Sequence, residues 1–222
     1  CIVKNVTIPV SELNTALKKG KWFDGSSVEG FMRIHESDMF LMPDKSTYAV
    51  IPWIDESIKT ARLICDIHNA DGTFFEGDPR YILKKVMKEA ESMSLKYMVG
   101  PEPEFFLFKK ENGIKPLAND MGGYFDLNMD KAFSIRAEMA QALELMGIKV
   151  EASHHEVANG QHEIAFRHEN ALKTADNVIT FKFTLKAVAQ KYRLIATFMP
   201  KPIFGINGSG MHCHQSFIDL KT

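Results

Sequence analysis

The 222-residue chain predicts an α+β fold, and three observations carry that reading. Short runs with period-two alternation dominate roughly the first third of the chain. Beyond it, stretches with apolar residues at helical spacing are interleaved with strand-like runs. Between two such runs lies Asn159-Gly160, a strong short-range signal for a hairpin turn. Hairpins mixed with helices suit α+β better than a doubly wound parallel sheet.

Composition removes several function classes. A hydrophobic fraction of 45% and a charged fraction of 25% are those of an ordinary globular domain. A formal net charge of -1 gives no bulk reason to bind nucleic acid or an anionic membrane. No run approaches the ~18 apolar residues of a membrane span. Cys1, Cys65 and Cys213 are too widely spaced for a CxxC zinc site and fit a reducing compartment, so a cytoplasmic location is expected. Both ends fall in strand-like runs rather than polar tails, and the chain is expected to be a piece of a longer one.

Taken in order, residues 2–10 read as a strand, and Leu13 and Leu17 as a short helix that Gly20 ends. Phe23-Asp-Gly-Ser-Ser27 is a loop, and strands are expected at 39–42, 48–53 and 61–67. A domain boundary is placed here, dividing residues 1–76 from 77–222. Asp78 as N-cap and Pro79 behind it then open a helix with Ile82, Val86, Ala90 and Met93 on one face. A strand at 97–108 follows, then a polar loop. The next helix starts at Asp130, carries Ile135, Met139, Ala142 and Met146, and ends at Gly147. After the hairpin, a long helix covers about 169–194 with Leu172, Ala175, Ile179, Phe183 and Ala187 as its stripe. Strands at 195–199 and 210–218 close the chain. The helical stripes are read as core.

Chemistry concentrates in three places. A two-residue turn at Asn159-Gly160 sets Ala158 opposite Gln161, Val157 opposite His162, and Glu156 opposite Glu163. Facing carboxylates ~4.5–5.5 Å apart at Cβ must be solvated, share a proton, or hold a cation. Glu102 and Glu104, two apart in an extended segment, leave from one face, and Pro103 between them points to a strand edge or end. Taken alone, these two acids read sooner as guards of the aggregation-prone 105–108 run than as ligands. Third, the glycine-rich Asn207-Gly208-Ser-Gly210 leads into a strand with His212, His214 and Ser216 on one face. An HxH by itself is a weak metal signal. Together, four glutamates and a histidine near strand ends suit Mg2+ or Mn2+ better than zinc. The surplus of carboxylates suggests two ions, as in a phosphoryl-transfer or hydrolase site.

Five motifs, in order, carry a resemblance. Phe23-Asp-Gly-Ser-Ser27, Gly100-Pro-Glu-Pro-Glu-Phe-Phe106, Glu151-Ala-Ser-His-His-Glu-Val-Ala158, Gly160-Gln-His-Glu163 and Asn207-Gly-Ser-Gly-Met-His-Cys-His-Gln-Ser216 resemble type I glutamine synthetase, nearest the bacterial class that is not adenylylated. The resemblance implies a ligase that makes glutamine from glutamate, ammonia and ATP through a γ-glutamyl phosphate. It implies that Glu104, Glu156 and Glu163 hold one divalent ion and that Glu102 and His212 hold a second. Glu151, His214 and Ser216 match nucleotide-binding positions, and Asn207 and Gly208 match the pair that holds substrate glutamate. Asp24 and Ser27 match loop residues that enter a neighbouring subunit's site and help deprotonate ammonium beside Tyr124. Arg33 sits where that class has an arginine tied to glutamine feedback.

The implied fold is a small β-grasp-like N-terminal domain followed by a catalytic domain with a curved antiparallel sheet, assembled as two stacked rings of six. The family's further metal glutamate, its arginines for glutamate and phosphate, and its closing flap are absent, so the chain in isolation is expected not to turn over. The competing expectations are a non-catalytic metal- or nucleotide-binding fragment and a ligase joining glutamate to an amine other than ammonia.

Overall fold

The computed structural model describes residues 3–28, 37–55, 57–109 and 118–221, so Arg33 lies outside the described residues. The chain divides into two compact units, residues 1–50 with 60–96 and 219–222, and residues 51–59 with 97–218.

The first unit holds helix α1 (Leu13–Lys19), strands β1 (Lys21–Asp24), β2 (Asp38–Val50) and β3 (Ala61–Asn69), and helix α2 (Pro79–Ser92). Its three strands form an antiparallel sheet in the order β1-β2-β3. The strand expected over 2–10 does not form: residues 3–9 are irregular and Val10–Glu12 make a 3-10 turn. Pro9 has no N–H to offer a ladder there. Gly20 ends α1 at φ 74°, donating its N–H to the Ala16 carbonyl.

The strands expected at 39–42 and 48–53 are one strand, β2, whose register breaks between Asp44 and Ala49. At the break the Asp44 carboxylate accepts from the N–H and hydroxyl of Ser46, folding the extra residues into a turn within the strand. Asp78 caps α2 by accepting from the Arg80 N–H and also takes the Ile67 N–H, tying helix to β3. The apolar stripe of α2 is not its buried face, and Ile82, Val86 and Met93 are exposed. A polar face is used instead: Arg80 pairs with Asp44 and Asp66, and Lys84 with Asp66.

The second unit is built on strand β4 (Leu95–Lys109). Strand β6 (Gln161–Phe166) lies beside it and β5 (Val150–His155) beyond, both antiparallel. The two-residue β7 (Glu169–Asn170), β8 (Leu194–Thr197) and β9 (Met211–Asp219) also pair with β4. Pro103 is buried in mid-strand, not at an edge. It is tolerated because residues 100–103 fall between the ladder to β7 at Met98 and Val99 and the ladder to β6 that begins at Glu104.

Helices α3 (Phe133–Leu145) and α4 (Ala171–Lys191) share one core with this sheet. There Phe105, Leu107, Ile164 and Phe166 join Ile135, Met139 and Leu143 of α3 and Phe181, Leu185 and Val188 of α4. The stripe expected on α3 is buried, but that on α4 is displaced around the helix. Its buried face carries Thr174, Asn177, Phe181, Thr184 and Leu185, while Ile179 and Phe183 are exposed. Thr174 and Thr180 are admitted because the Thr174 hydroxyl donates to the Val99 carbonyl and that of Thr180 to the Asp176 carbonyl.

Candidate functional site

The hairpin that joins β5 to β6 sets the geometry. Its partners are His155 with His162 and His154 with Glu163, so Glu156 does not stand opposite Glu163. The Glu156 N–H donates to the Gln161 carbonyl, leaving a loop of residues 157–160 where the sequence suggests a two-residue turn. Gly160 alone takes a positive φ, 69°, whereas a type I′ turn needs one at Asn159 as well. The register is displaced by two residues, and side-chain direction in a strand has period two, so Glu156, His162 and Glu163 keep their expected faces. Glu156 still reaches Glu163, now as a diagonal neighbour.

Two rows of side chains cross the three strands. On the front, Glu104 of β4 faces Glu163 of β6, which faces His154 of β5. On the back, Phe105, His162 and His155 form the next row, all buried. Ligand atoms of His154, Glu156 and Glu163 lie within 4.8 Å of one another, and His154 Nε2 is 2.9 Å from Glu156 Oε1. Gln161 donates to the Glu104 carboxylate at 2.6 Å and to the Gly208 carbonyl at 2.9 Å, and accepts from the Ala158 N–H. This amide fixes Glu104 and anchors the loop before β9.

Gly208 has no room for a side chain, since a Cβ there would stand 2.3 Å from the Pro200 carbonyl oxygen. Beside Gly210, whose carbonyl accepts from the Glu104 N–H, Glu104 Oε1 and His212 Nε2 converge. Glu102 is 3.1 Å from His214 Nε2. Burial pushes the Glu163 carboxyl above the ordinary range; His154 pulls it down, and Glu102, Glu156 and Glu104 push it up further. Among the described residues no lysine or arginine pairs with any of these four acids. The front of the sheet is therefore short of positive charge.

Beside the acids is a cavity of about 290 Å³ lined by Glu102, Glu151, Phe166, His168, His214 and Ser216 among others. It brings together Glu151, His214 and Ser216, three residues singled out in the sequence. Tyr124 stacks on Phe125 at 4.1 Å, and both rings meet His154 edge to face. Asn207 is exposed in the loop before β9. Asp24 and Ser27 belong to the first unit, where the Ser27 hydroxyl donates to the Asp24 carboxylate at 2.8 Å.

Sequence reasoning missed His154, Gln161 and the back row. Alternation could have placed His154 beside Glu156, because the two are two residues apart in an extended run and so share a face. Nothing in the sequence separated Gln161 from a surface glutamine.

The back row is no cation site, although Asp120, His155 and His162 also cluster. His155 Nδ1 is 2.6 Å from the Glu156 carbonyl oxygen and its Nε2 is 2.8 Å from Asp120 Oδ1. Both partners accept, so His155 carries a proton on each nitrogen. Burial alone would lower its pKa, but the Asp120 carboxylate and the Glu156 carbonyl raise it. Arg136, itself paired with the buried Asp130, donates to His162 Nδ1, which places that ring's proton on Nε2. Burial and the Arg136 charge keep His162 neutral, with its pKa lowered to about 3.

Carboxylate oxygens with a minority of imidazole nitrogens and no thiolate are the donor set of a hard divalent cation, the kind used by enzymes that handle phosphates. Residues 2–70 match the family model of the glutamine synthetase β-grasp domain, and residues 76–222 match that of the glutamine synthetase catalytic domain. The chain is 54% identical to glutamine synthetase of Methanocaldococcus jannaschii, covering 96% of this chain and 49% of that protein. It is 53% identical to glutamine synthetase of Staphylococcus aureus, covering 99% and 50%. The structure of Plasmodium falciparum glutamine synthetase superposes with a TM-score of 0.83 at 29% identity, over 96% of this chain and 46% of that one. The chain belongs to the glutamine synthetase family, and spans about half the length of the relatives it matches.

Proposed function

We propose that this chain carries the cation- and nucleotide-binding part of a ligase that forms glutamine from glutamate, ammonia and ATP. The observation that supports it is the meeting of Glu102, Glu104, Glu156 and Glu163 beside the cavity that Glu151, His214 and Ser216 line. In this reading Glu104, Glu156 and Glu163 hold one Mg2+ or Mn2+, and Glu102 with His212 holds a second. A bound divalent cation offsets the charge that builds on phosphoryl oxygens during transfer.

The side chains around it have separate tasks. His154 orients the Glu156 carboxylate, and Gln161 orients Glu104. Glu151, His214 and Ser216 contact the nucleotide, and Asn207 and Gly208 the glutamate. The γ-phosphoryl group of ATP passes to the γ-carboxylate of glutamate, and ammonia displaces phosphate to leave the amide. Ammonium is drawn by Glu156 beside the face of Tyr124, since anions and aromatic rings both attract a small cation. Asp24, hydrogen-bonded by Ser27, then takes the proton that turns ammonium into ammonia, in the site of a neighbouring copy. A domain division at residues 76 and 77, and assembly into two stacked rings of six, complete the proposal.

The test is product formation. Glutamate, ATP, Mg2+ and ammonia are mixed with this chain and with a protein of the full family length, each beside its Glu163→Gln variant. Glutamine is expected from the full-length protein alone, and only with Glu163 intact. Turnover by the short chain above its variant would refute the division of labour. A full-length product with ethanolamine or a polyamine but not with ammonia would refute the substrate.

A further inference from the structure

Behind the front acids the loop of residues 157–160 is held at both ends by one buried pair. At its start, His155 donates from Nδ1 to the Glu156 carbonyl. At its end, Asp120 Oδ1 accepts from the Gly160 N–H at 2.9 Å, while the same oxygen is 2.8 Å from His155 Nε2. Both side chains have no exposed surface. Asp120 also takes the Lys131 N–H through Oδ2, so it is fixed independently of the loop. Gly160 is gripped from the other side too, its carbonyl accepting from the Leu107 N–H of β4. Even Gly122 fits this arrangement, since a Cβ there would stand 2.8 Å from His155 Nε2.

We propose that the Asp120–His155 pair is a brace that positions Glu156 against Glu163 for the ligand on the front of the sheet. Neither residue faces the front, so neither touches the cation or substrate; both act through the backbone of the loop. The cost of burying two charges is met by five hydrogen bonds and mutual attraction, which a purely apolar filling would not need. Such an investment behind a functional carboxylate is how outer partners orient groups that bind metal ions. The part of the inference that concerns the cation rests on the function proposed above; the brace itself does not.

Amide hydrogen exchange and Mn2+ binding separate the two. In Asp120→Ala the amides of Gly160 and Glu156 are expected to exchange about tenfold faster or more, while those of residues 105–108 stay protected. Asp120→Asn, which keeps an acceptor for the Gly160 N–H, is expected to restore most of that protection. Leu185→Ala, a core cavity elsewhere, is expected to lower thermal stability without selective exchange at the loop.

If the function is as proposed, Mn2+ affinity falls about tenfold or more in Asp120→Ala and not in Leu185→Ala. Unchanged exchange at Gly160 in Asp120→Ala overturns the brace whatever the metal does. Absence of Mn2+ binding in the parent chain overturns the functional reading while exchange still decides the brace. Should Asp120→Ala not fold, His155→Gln carries the same test, since its amide can donate to one of the two acceptors at a time.

Discussion

Replacing Glu163 by glutamine is expected to raise the thermal stability of the metal-free chain and to remove most of the stabilisation that Mn2+ brings. The magnitude follows from the front row. Carboxylate oxygens of Glu156 and Glu163 approach within 4.8 Å. Two unit charges at that separation repel by about 3.5 kcal/mol at an effective dielectric of about 20. Water at the half-open site and the His154 ring beside Glu156 reduce this to about 1 kcal/mol net. For a chain of this size that is a rise of about 2–4 °C in the melting temperature.

With Mn2+ at about a hundred times its dissociation constant the parent chain gains about 2.7 kcal/mol, or about 5–10 °C. The variant, missing a ligand, gains less than half of that. Differential scanning calorimetry with EDTA and then with Mn2+ reads both numbers, and the order of the two melting temperatures should invert. A variant less stable than its parent in EDTA, or one that keeps the full Mn2+ shift, would refute the reasoning that these carboxylates repel each other unless a cation lies between them.

Two further outcomes follow from other parts of the chain. Gly208→Ala drives a Cβ to 2.3 Å from the Pro200 carbonyl oxygen, so the loop before β9 must move and Gln161 loses its bond to it. Urea unfolding should show a loss of about 1–3 kcal/mol. The Asp44 carboxyl is pushed up by burial, but Ser46 and Arg80 hold it at about 2, below its ordinary 3.8. Its folded pKa is depressed, so its contribution is present above about pH 4 and disappears as pH falls toward 2. Asp44→Asn should therefore cost on the order of 1 kcal/mol at pH 7 after allowance for solvent screening. The gap from the parent should begin to narrow below about pH 4 and close only at or below about pH 2, as urea midpoints at several pH values would show.

What the sequence disclosed and what it hid have physical causes. Helix limits at Pro79 and Gly147 were legible because a ring-locked φ and a positive φ leave local marks. The front acids were legible because strand faces obey period two, and that survived a turn misread by two residues. The turn was misread because Gly160 is fixed by Leu107 and Asp120, contacts that Asn159-Gly160 does not announce. The buried face of α4 was misjudged because hydrophobicity undervalues a threonine whose hydroxyl finds a carbonyl. The Asp120–His155 pair was hidden for the same reason: its worth depends on partners 35 residues apart.

The central claim is that the front of the sheet holds a divalent cation, and electron paramagnetic resonance of Mn2+ tests it most directly. Titrated into the metal-stripped chain, Mn2+ should show saturable binding that Glu156→Gln and Glu163→Gln each abolish or weaken by about tenfold or more. A free-Mn2+ signal that rises linearly from the first addition, or binding that neither substitution alters, would contradict it.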